Sequence, residues 1–229
     1  MNKYEIIKNI EQFAPKESAE PWDCVGFEVE TSKIDVSKIM LCLTVTDNII
    51  QQAKSQNCDM IISHHPLFFV PLEWADIDIY SAHTNLDKAK GGTTDTMIKV
   101  LGFESDNKLE HEYLRFVTFD NSILLDDFIQ KLKEISPNLR YVNNKSVSEI
   151  KRIAFCAGSG SEFIKDAQQF GADCFVTGDL KFHTALDSNI VVVDVGHFES
   201  EILVLPVLKD LIGNNVEVVF ADEKSPFNY

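Results

Sequence analysis

Histidines mark the most chemically informative positions of the chain. Five of the six lie just after predicted strands or in the following turn, beside acidic residues or glycines: His64, His65, His83, His183 and His197. The sixth, His111, lies in a charged stretch and is expected on the solvated surface. Histidine is the commonest side-chain metal ligand in proteins, and carboxylates accompany it here. The residue types therefore indicate a metal site, and no motif for a nucleophilic serine or cysteine accompanies them.

Two of the histidines begin the same short pattern, His-x-x-x-acid. It occurs at His83 with Asp87 and again at His197 with Glu201. Side chains at positions i and i+4 share one face of a helix, so each pair can face one ion. A single pattern of this kind is more typical of a surface pair. Its occurrence twice, each time after a predicted strand, favours ligands.

The adjacent pair His64 and His65 follows a predicted strand and precedes Pro66. Neighbouring strand residues point to opposite faces, but a kink at the proline would let both rings flank one cavity and serve two metals. The ligand set is nitrogen and oxygen without a nearby cysteine, which favours Zn, Mn, Fe or Co. The number of ligands in this set exceeds what one tetrahedral ion needs, and it suits two ions that share a bridging carboxylate. The alternative is a hydrogen-bonded polar cluster without metal.

Two further segments carry weaker signals. Asp179 and His183 are candidate partners of metal ligands or candidate proton carriers. The alternative for Asp179 is a cap on a glycine turn. The segment 158–161, Gly-Ser-Gly-Ser, can hold a phosphate on backbone N–H groups or form a simple turn. It lacks the P-loop lysine and the spacing of a dinucleotide site.

The elements that must position these residues alternate between strand and helix. Strands are predicted at 39–45, 59–63, 77–82, 114–119, 138–143, 152–157, 173–177, 190–195 and 216–221. Helices are predicted between most of them, including 121–135, 161–170 and 199–212. This alternation predicts an α/β fold with largely parallel strand pairing.

An internal repeat relates the two halves of the chain. A shift of 114 residues aligns 38–65 with 152–179 without a gap, and it also superimposes the two His-x-x-x-acid patterns. General similarity between βαβ units explains matched apolar residues, but not a matched histidine and acid. We predict two related α/β lobes, or one compact unit made from both. The lobes are residues 1–111, with repeat copy 38–88, and residues 112–229, with repeat copy 152–202.

Composition excludes several classes of function. Of 229 residues, 45% are hydrophobic and 25% are charged, which is ordinary for a soluble folded protein. The net charge of −15 argues against nonspecific binding to nucleic acid or to an anionic membrane. No apolar run approaches the length of a membrane span. Five scattered cysteines without a CxxC motif predict a reduced, cytoplasmic protein.

Four segments in combination resemble a known family. They are IISHHPLFF at 61–69, HTNLD at 83–87, GADCFVTGDLKFH at 171–183 and GHFESE at 196–201. Together they are similar to the GTP cyclohydrolase I type 2 homologues, the YbgI and YqfO group, in its short form. The resemblance implies two related α/β lobes, a dinuclear metal centre between them, and a ring-shaped hexamer. An apolar stretch at 66–71 agrees with such an assembly.

The resemblance also implies how two divalent ions are held. His64 and Asp87 hold the first ion, His65 and His197 hold the second, and Glu201 bridges both. These five residues are our predicted metal ligands.

The remaining site residues are assigned to proton transfer. The resemblance places His83 and His183 in the pocket without making them ligands, whereas repeat symmetry would make His83 a ligand like His197. We follow the family, and predict that His183, His83 and Asp179 are catalytic. Thr44 occupies a position where members often carry aspartate, in a Leu-Asp-Val-Thr pattern, and this departure bears on catalytic competence.

Two classes of function follow from this site. The first is a metal-dependent hydrolase that uses a metal-activated water on a small molecule or nucleotide, GTP being the substrate that the family name suggests. The second is a non-catalytic metal-loaded ring that binds partners, handles metal or regulates. The absence of a P-loop and the few cations among the motifs, Lys88, Lys90 and Lys181, weigh against nucleotide turnover.

Overall fold

A computed structural model describes residues 1–228, which contain ten strands and nine α-helices. The strands are β1 (Gly26–Val29), β2 (Lys38–Cys42), β3 (Met60–Ser63), β4 (Asp78–Ser81), β5 (Arg115–Leu124), β6 (Arg140–Val142), β7 (Glu149–Phe155), β8 (Cys174–Thr177), β9 (Val191–Asp194) and β10 (Glu217–Phe220). The helices are α1 (Lys3–Phe13), α2 (Asp47–Ser55), α3 (Thr84–Lys88), α4 (Thr93–Val100), α5 (Leu125–Leu132), α6 (Ile164–Gln169), α7 (Phe182–Asp187), α8 (His197–Glu201) and α9 (Leu205–Ile212).

The chain divides into two compact units. Unit 1 contains residues 1–92 and 204–224, and unit 2 contains residues 93–203 with the segment from Ser225 onward. These bounds differ from the predicted lobes 1–111 and 112–229. The difference arises because β10 pairs with β2, and α9 packs against α1, so the chain returns to unit 1 near its end. Residues of α4, in turn, belong to a core cluster of unit 2.

Unit 1 is built on a five-stranded sheet in the order β1-β4-β3-β2-β10. Strands β4, β3, β2 and β10 run parallel, and β1 joins β4 in the antiparallel direction. All residues of β3 and β4 are buried, as expected of central parallel strands covered on both faces. The carboxyl ends of these strands therefore meet at one edge, where α/β folds place ligands.

Unit 2 is also built on a five-stranded sheet, in the order β5-β7-β8-β9-β6. Strands β7, β8 and β9 are parallel, and the edge strands β5 and β6 are antiparallel to their neighbours. Successive residues of β8 enter different core clusters, because Cys174 and Val176 join one while Phe175 joins the other. The sheet is thus covered on both faces. The predicted α/β class with largely parallel pairing is confirmed.

Two aspartates related by the shift of 114 residues make equivalent contacts. The Asp59 carboxylate accepts the backbone N–H groups of residues 37–38 at 2.6 and 3.2 Å. Asp173 accepts those of residues 151–152 at 2.9 and 3.0 Å. Each carboxylate therefore holds the backbone of one parallel strand, that of β2 for Asp59 and that of β7 for Asp173.

Two remaining features concern the chain as a whole. All five cysteines are free thiols. Within residues 1–228, every helix falls short of the length and apolar character that a membrane span requires.

Candidate metal centre

Three histidine rings cluster at the carboxyl ends of β3 and β4 in unit 1. His64 and His65 directly follow β3, and His83 follows β4 and precedes α3. The centroids of the rings are 5.0 Å apart for His64 and His65, 5.2 Å for His64 and His83, and 5.6 Å for His65 and His83. One ring nitrogen of each residue lies within 4.8 Å of the corresponding atoms of the other two. This group could hold a metal ion.

The first two rings are each oriented through their Nδ1 atoms. His64 is fully buried, and its Nδ1–H donates to the backbone carbonyl of Ala82 at 2.8 Å. His65 Nδ1 lies 2.7 Å from Oγ1 of Thr44, in the loop after β2. The Ala82 carbonyl can only accept, so it fixes the tautomer of His64 with the lone pair on Nε2, whereas the Thr44 hydroxyl can donate or accept and fixes only the orientation of the His65 ring.

The third ring is held by a buried carboxylate. Nδ1 of His83 lies 3.1 Å from both carboxylate oxygens of Asp23, whose side chain is inaccessible to solvent. Asp23 also accepts hydrogen bonds from the backbone N–H and hydroxyl of Thr84 and from the N–H of Cys24. Burial opposes the ionisation of Asp23, but the hydrogen bonds from Thr84 and His83 outweigh it and lower the pKa of the carboxyl.

Asp87 lies one helical turn beyond His83, in α3. Its Oδ1 is 3.5 Å from Nε2 of His64, so this carboxylate and this imidazole can face the same ion. The i to i+4 spacing predicted from the sequence is thus realised in a helix that begins immediately after His83.

Partly buried acids also support the loops that carry the histidines. Glu28 accepts the N–H of Leu67 at 2.6 Å, just after the His64–His65 turn, and burial raises the pKa of its carboxyl to about 7. Glu223 accepts the N–H of Leu43 at 2.6 Å and so ties the end of the chain to the loop that holds Thr44. Neither acid belongs to a motif recognised in the sequence.

Unit 2 carries a second group on and beside α8. Nε2 of His197 lies 2.9 Å from Oε2 of Glu201, and Nδ1 of His197 lies 2.8 Å from Oδ2 of Asp179. Burial favours the neutral ring, but the hydrogen bonds and charges of Glu201 and Asp179 outweigh it and raise the pKa of His197 to about 9. Such a strongly anionic setting attracts a cation.

A glycine makes room for the Glu201 carboxylate. A Cβ atom at Gly158 would lie 1.9 Å from Oε1 of Glu201, and the backbone at Gly158 has a φ of +68°. Both the close approach and the left-handed conformation require glycine here. The segment 158–161, which the sequence assigned to a phosphate loop or a turn, therefore packs against a predicted metal ligand.

His183 has different surroundings from His197 and Asp179. It is exposed on α7 and lines a cavity formed with residues 161–168 and 184–189. Asp179 and His197 line a different cavity of about 210 Å³, together with Arg140 and Gly196. The catalytic role of His183 stays a prediction.

Sequence reasoning missed the orienting residue Asp23, whereas it singled out Thr44 as a departure from the family's aspartate. Asp23 contacts His83 from 60 positions away, and Thr44 contacts His65 from 21 positions away. No local spacing reveals such contacts. The available signal for Asp23 was an acid in an otherwise apolar segment, PWDCVGF, which carries no chemistry by itself.

The chain is similar to several known proteins. The family model described as Duf34/NIF3 (NGG1p interacting factor 3) matches residues 1–226. A "GTP cyclohydrolase 1 type 2 homolog" from Clostridium perfringens is 32% identical, with 100% of both chains covered. Reduced HcgD from Methanocaldococcus jannaschii is 28% identical with a TM-score of 0.85, and 97% and 98% of the two chains are covered. A hypothetical protein from Staphylococcus aureus is 25% identical with a TM-score of 0.84, and 100% and 99% are covered.

Proposed function

Because this chain belongs to the DUF34/NIF3 family of GTP cyclohydrolase 1 type 2 homologues, we propose that it is a dinuclear metal-binding protein acting as a metal-dependent hydrolase. The observation that carries the proposal is the set of oriented histidines in both units. His64, His65 and His83 cluster in unit 1, and His197 pairs with Glu201 in unit 2. Imidazole and carboxylate donors suit Zn, Mn, Fe or Co.

The proposed ligands of the two ions are those implied by the family resemblance. His64 and Asp87 would hold one ion, His65 and His197 would hold the other, and Glu201 would be a ligand of both. The 3.5 Å approach of His64 to Asp87 and the 2.9 Å approach of His197 to Glu201 support these pairings.

Divalent ions supply Lewis acidity and lower the pKa of water towards neutrality. The chain's own contribution would be to orient the ligands and to move protons. His83, His183 and Asp179 are the proposed proton carriers, because imidazole titrates near neutrality and a carboxylate accepts hydrogen bonds. The substrate would be a small molecule or nucleotide. The relatives' name suggests GTP, whereas the net charge of −15 disfavours highly anionic substrates.

A non-catalytic metal-loaded protein is the second candidate. The observation that favours it is the neutral hydroxyl of Thr44 beside His65, since a hydroxyl increases the basicity of a ligand ring less than a carboxylate does. Both candidates include a homo-oligomer, a six-chain ring by family resemblance. The exposure of Phe68 and Phe69 supports that assembly.

Metal analysis tests the proposal directly. After purification without chelator and with added Mn²⁺ or Zn²⁺, we expect close to two ions per chain. Glu201→Gln should lower the content of both ions, because this carboxylate is the proposed bridge. Glu199→Gln, two residues earlier in the same helix, is the matched control and should leave both bound. A metal-free wild-type chain would exclude the dinuclear proposal, and a broad hydrolase screen separates the two candidate functions.

A further inference from the structure

We infer that Trp22 is a substrate-binding residue, whose indole stacks on a planar heteroaromatic ring of the substrate, such as the base of a nucleoside. This inference rests on the proposed function and deepens it, because it names the substrate class that the same site takes. It leaves the ligands of both ions and the proton carriers as proposed.

The first observation is the exposure of this side chain. Trp22 is 61% exposed, although tryptophan is highly buried on average in folded proteins. Its indole N–H has no acceptor within residues 1–228, whereas the N–H of the buried Trp74 donates to Asp47 at 3.2 Å. The Trp22 side chain therefore adds little to the core. A large exposed aromatic ring of this kind is typical of an interaction site.

The second observation is the position of the ring beside the candidate metal centre. The centroid of the Trp22 ring lies 6.3 Å from that of His83, at an interplanar angle of 74°. The His83 ring in turn lies 5.2 Å from the ring of His64 and 5.6 Å from that of His65. A ligand on the exposed indole surface therefore borders the histidine cluster, where the reaction is proposed to occur.

The third observation is that the turn presenting Trp22 is held on both sides. The N–H of Asp23 donates to the carbonyl of Glu20 at 3.0 Å, and Pro21 occupies the second position of this β-turn, where proline is favoured. The hydroxyl of Thr84 accepts the N–H of Glu20 at 2.9 Å and donates to the buried carboxylate of Asp23. The backbone at Trp22 is thus fixed before a ligand arrives, so binding costs less conformational entropy.

The charges around the turn indicate which part of the substrate contacts Trp22. Glu20 and Asp23 place carboxylates on either side of it, and the ammonium group of Lys88 is paired with Glu20 at 2.7 Å. A phosphate group is disfavoured beside these carboxylates, whereas every nucleobase is uncharged and has a flat π-face that can stack on an aromatic side chain. The binding energy of such an unreactive ring can orient the reacting atoms at the neighbouring centre.

Tryptophan fluorescence tests the contact, because the chain has two tryptophans. Trp74→Phe leaves Trp22 as the reporter, and Trp22→Phe leaves Trp74. With the full, metal-loaded chain and guanosine, adenosine or cytidine as probes, we expect saturable quenching in Trp74→Phe. We expect no change in Trp22→Phe, since Trp74 is buried. Ribose 5-phosphate lacks the ring and should quench neither variant.

Isothermal titration with the nucleoside that quenches most strongly measures the contribution of the indole. Trp22→Leu should raise the Kd by roughly 5–100-fold, the effect of removing one aromatic partner of a base. Trp22→Phe keeps a flat ring and should raise the Kd less. Phe220→Leu is the matched control, since Phe220 is an exposed aromatic residue of the same unit on β10, which two strands separate from β4, and it should leave the Kd unchanged. All variants should keep the metal content of the wild type, because an indole N–H is a donor only.

These measurements separate the role of Trp22 from the proposed dinuclear centre. A chain that binds its ions but no nucleoside, or binds nucleosides equally well with Trp22→Leu, overturns the role of Trp22 and leaves the dinuclear proposal standing. A chain that binds nucleosides through Trp22 but holds no metal ions supports the stacking contact, while the dinuclear proposal fails. If Trp22→Leu changes the mass in light scattering but not the nucleoside affinity, Trp22 belongs to a protein interface and the inference is wrong.

Discussion

At the scale of single residues, chemically different groups orient the histidine rings of the site. The Nδ1 atom of a histidine contacts a carbonyl at His64, a hydroxyl at His65, and a carboxylate at His83 and His197. The carbonyl and the carboxylates are acceptors only, so they fix one tautomer. The hydroxyl both donates and accepts and therefore fixes the ring least. Among the proposed ligands, His65 is therefore the one whose ring orientation is least secured, and a change of its partner should affect it most.

Thr44→Val tests this sensitivity. The variant keeps the shape of the side chain but removes the hydroxyl that contacts His65, so we expect about a tenfold loss of affinity for the ion that His65 holds. Thr44→Ser retains a hydroxyl and should bind like the wild type. Isothermal titration with Zn²⁺ measures both. Equal affinity in the valine variant would show that Thr44 has no orienting role.

Gly158→Ala tests the space reserved for Glu201. The new Cβ would lie 1.9 Å from Oε1 of Glu201, so the carboxylate must move and metal content should fall. The φ of +68° adds strain of about 1–3 kcal/mol. Gly171→Ala is the control, because Gly171 has a φ of +79° with nothing within 4 Å of the new atom. It should lose stability but keep its metal, and metal loss in both variants would contradict the steric argument.

The residue types at the site could be predicted from the sequence, whereas the partners that orient them could not. Histidines and acids after strands show which chemistry is present, since few other side chains bind metals. Asp23 is recognisable as an orienting residue only once folding has brought it to His83, and the family pattern that singled out Thr44 did not identify His65 as its partner. Such long-range contacts leave no periodicity or spacing in the sequence.

At the scale of elements, the central strands were the most predictable. The predicted strand 59–63 corresponds to β3 (Met60–Ser63), because a short, continuous apolar run is typical of a strand buried on both faces. Edge strands were harder to predict from the sequence. β1 (Gly26–Val29) was not predicted, since half of its residues are only partly buried and its pairing with β4 is a tertiary contact.

Two helices have other boundaries in the structure than the sequence predicted. The single predicted helix at 199–212 is two helices, α8 and α9, separated by a short 3₁₀ segment at Ile202–Val204. Pro206 lies in the first turn of α9, where its missing N–H costs nothing, but it cannot continue a preceding helix. The predicted helix 121–135 begins only at Leu125, because residues 123–124 pair with β7.

The hydrogen bonds of Asp59 beside β2 predict that the stability of the protein depends on pH. The Asp59 carboxylate is partly buried, which opposes its ionisation, but hydrogen bonds from Lys33, Ser37 and the N–H of Lys38 outweigh burial and hold the pKa well below its ordinary value of 3.8. Its contribution to stability is therefore present at neutral pH and is lost as pH falls below the ordinary value towards the folded pKa.

Asp59→Asn should accordingly lower the free energy of unfolding by about 1–3 kcal/mol at neutral pH. The difference from the wild type should shrink as the pH is lowered through 3.8, where the carboxylate of the unfolded chain also becomes protonated. Urea denaturation across this range measures the effect. Lys33→Met is the comparison, since an exposed ion pair contributes only about 0–1 kcal/mol and its loss should matter less. A pH-independent difference would show that the carboxylate charge is not the cause.

At the scale of the whole molecule, the chain passes between its two units three times, after residues 92, 203 and 224. Unit 1 is completed only when residues 204–224 return, through α9 and β10, after unit 2 has been made. The alternation of strands and helices predicted an α/β fold with largely parallel pairing, but the strand that completes a sheet is chosen by tertiary pairing. For this reason the α/β class could be predicted from the sequence, and the destination of the last strand could not.

The segment between β3 and β4 carries an apolar surface that bears on assembly. Phe68, Phe69 and Leu72 are 69%, 80% and 88% exposed, although their neighbours in β3 are wholly buried. Large exposed apolar side chains in one segment are typical of interaction sites. This segment also directly follows His64 and His65, so an interface formed here would lie beside the ligand-bearing turn of the same unit.

Light scattering tests whether this segment assembles the protein. We expect the wild type to have six times the chain mass of 25.9 kDa, as the family resemblance implies. Phe69→Lys should shift the population to smaller species, because burying an unpaired charge in an apolar interface is costly. Phe182→Lys is the matched control, a phenylalanine of similar exposure on α7 in unit 2, and it should leave the mass unchanged. A monomeric wild type at micromolar concentration would contradict the assembly, whereas an intact assembly in the Phe69 variant would place its interface on another surface.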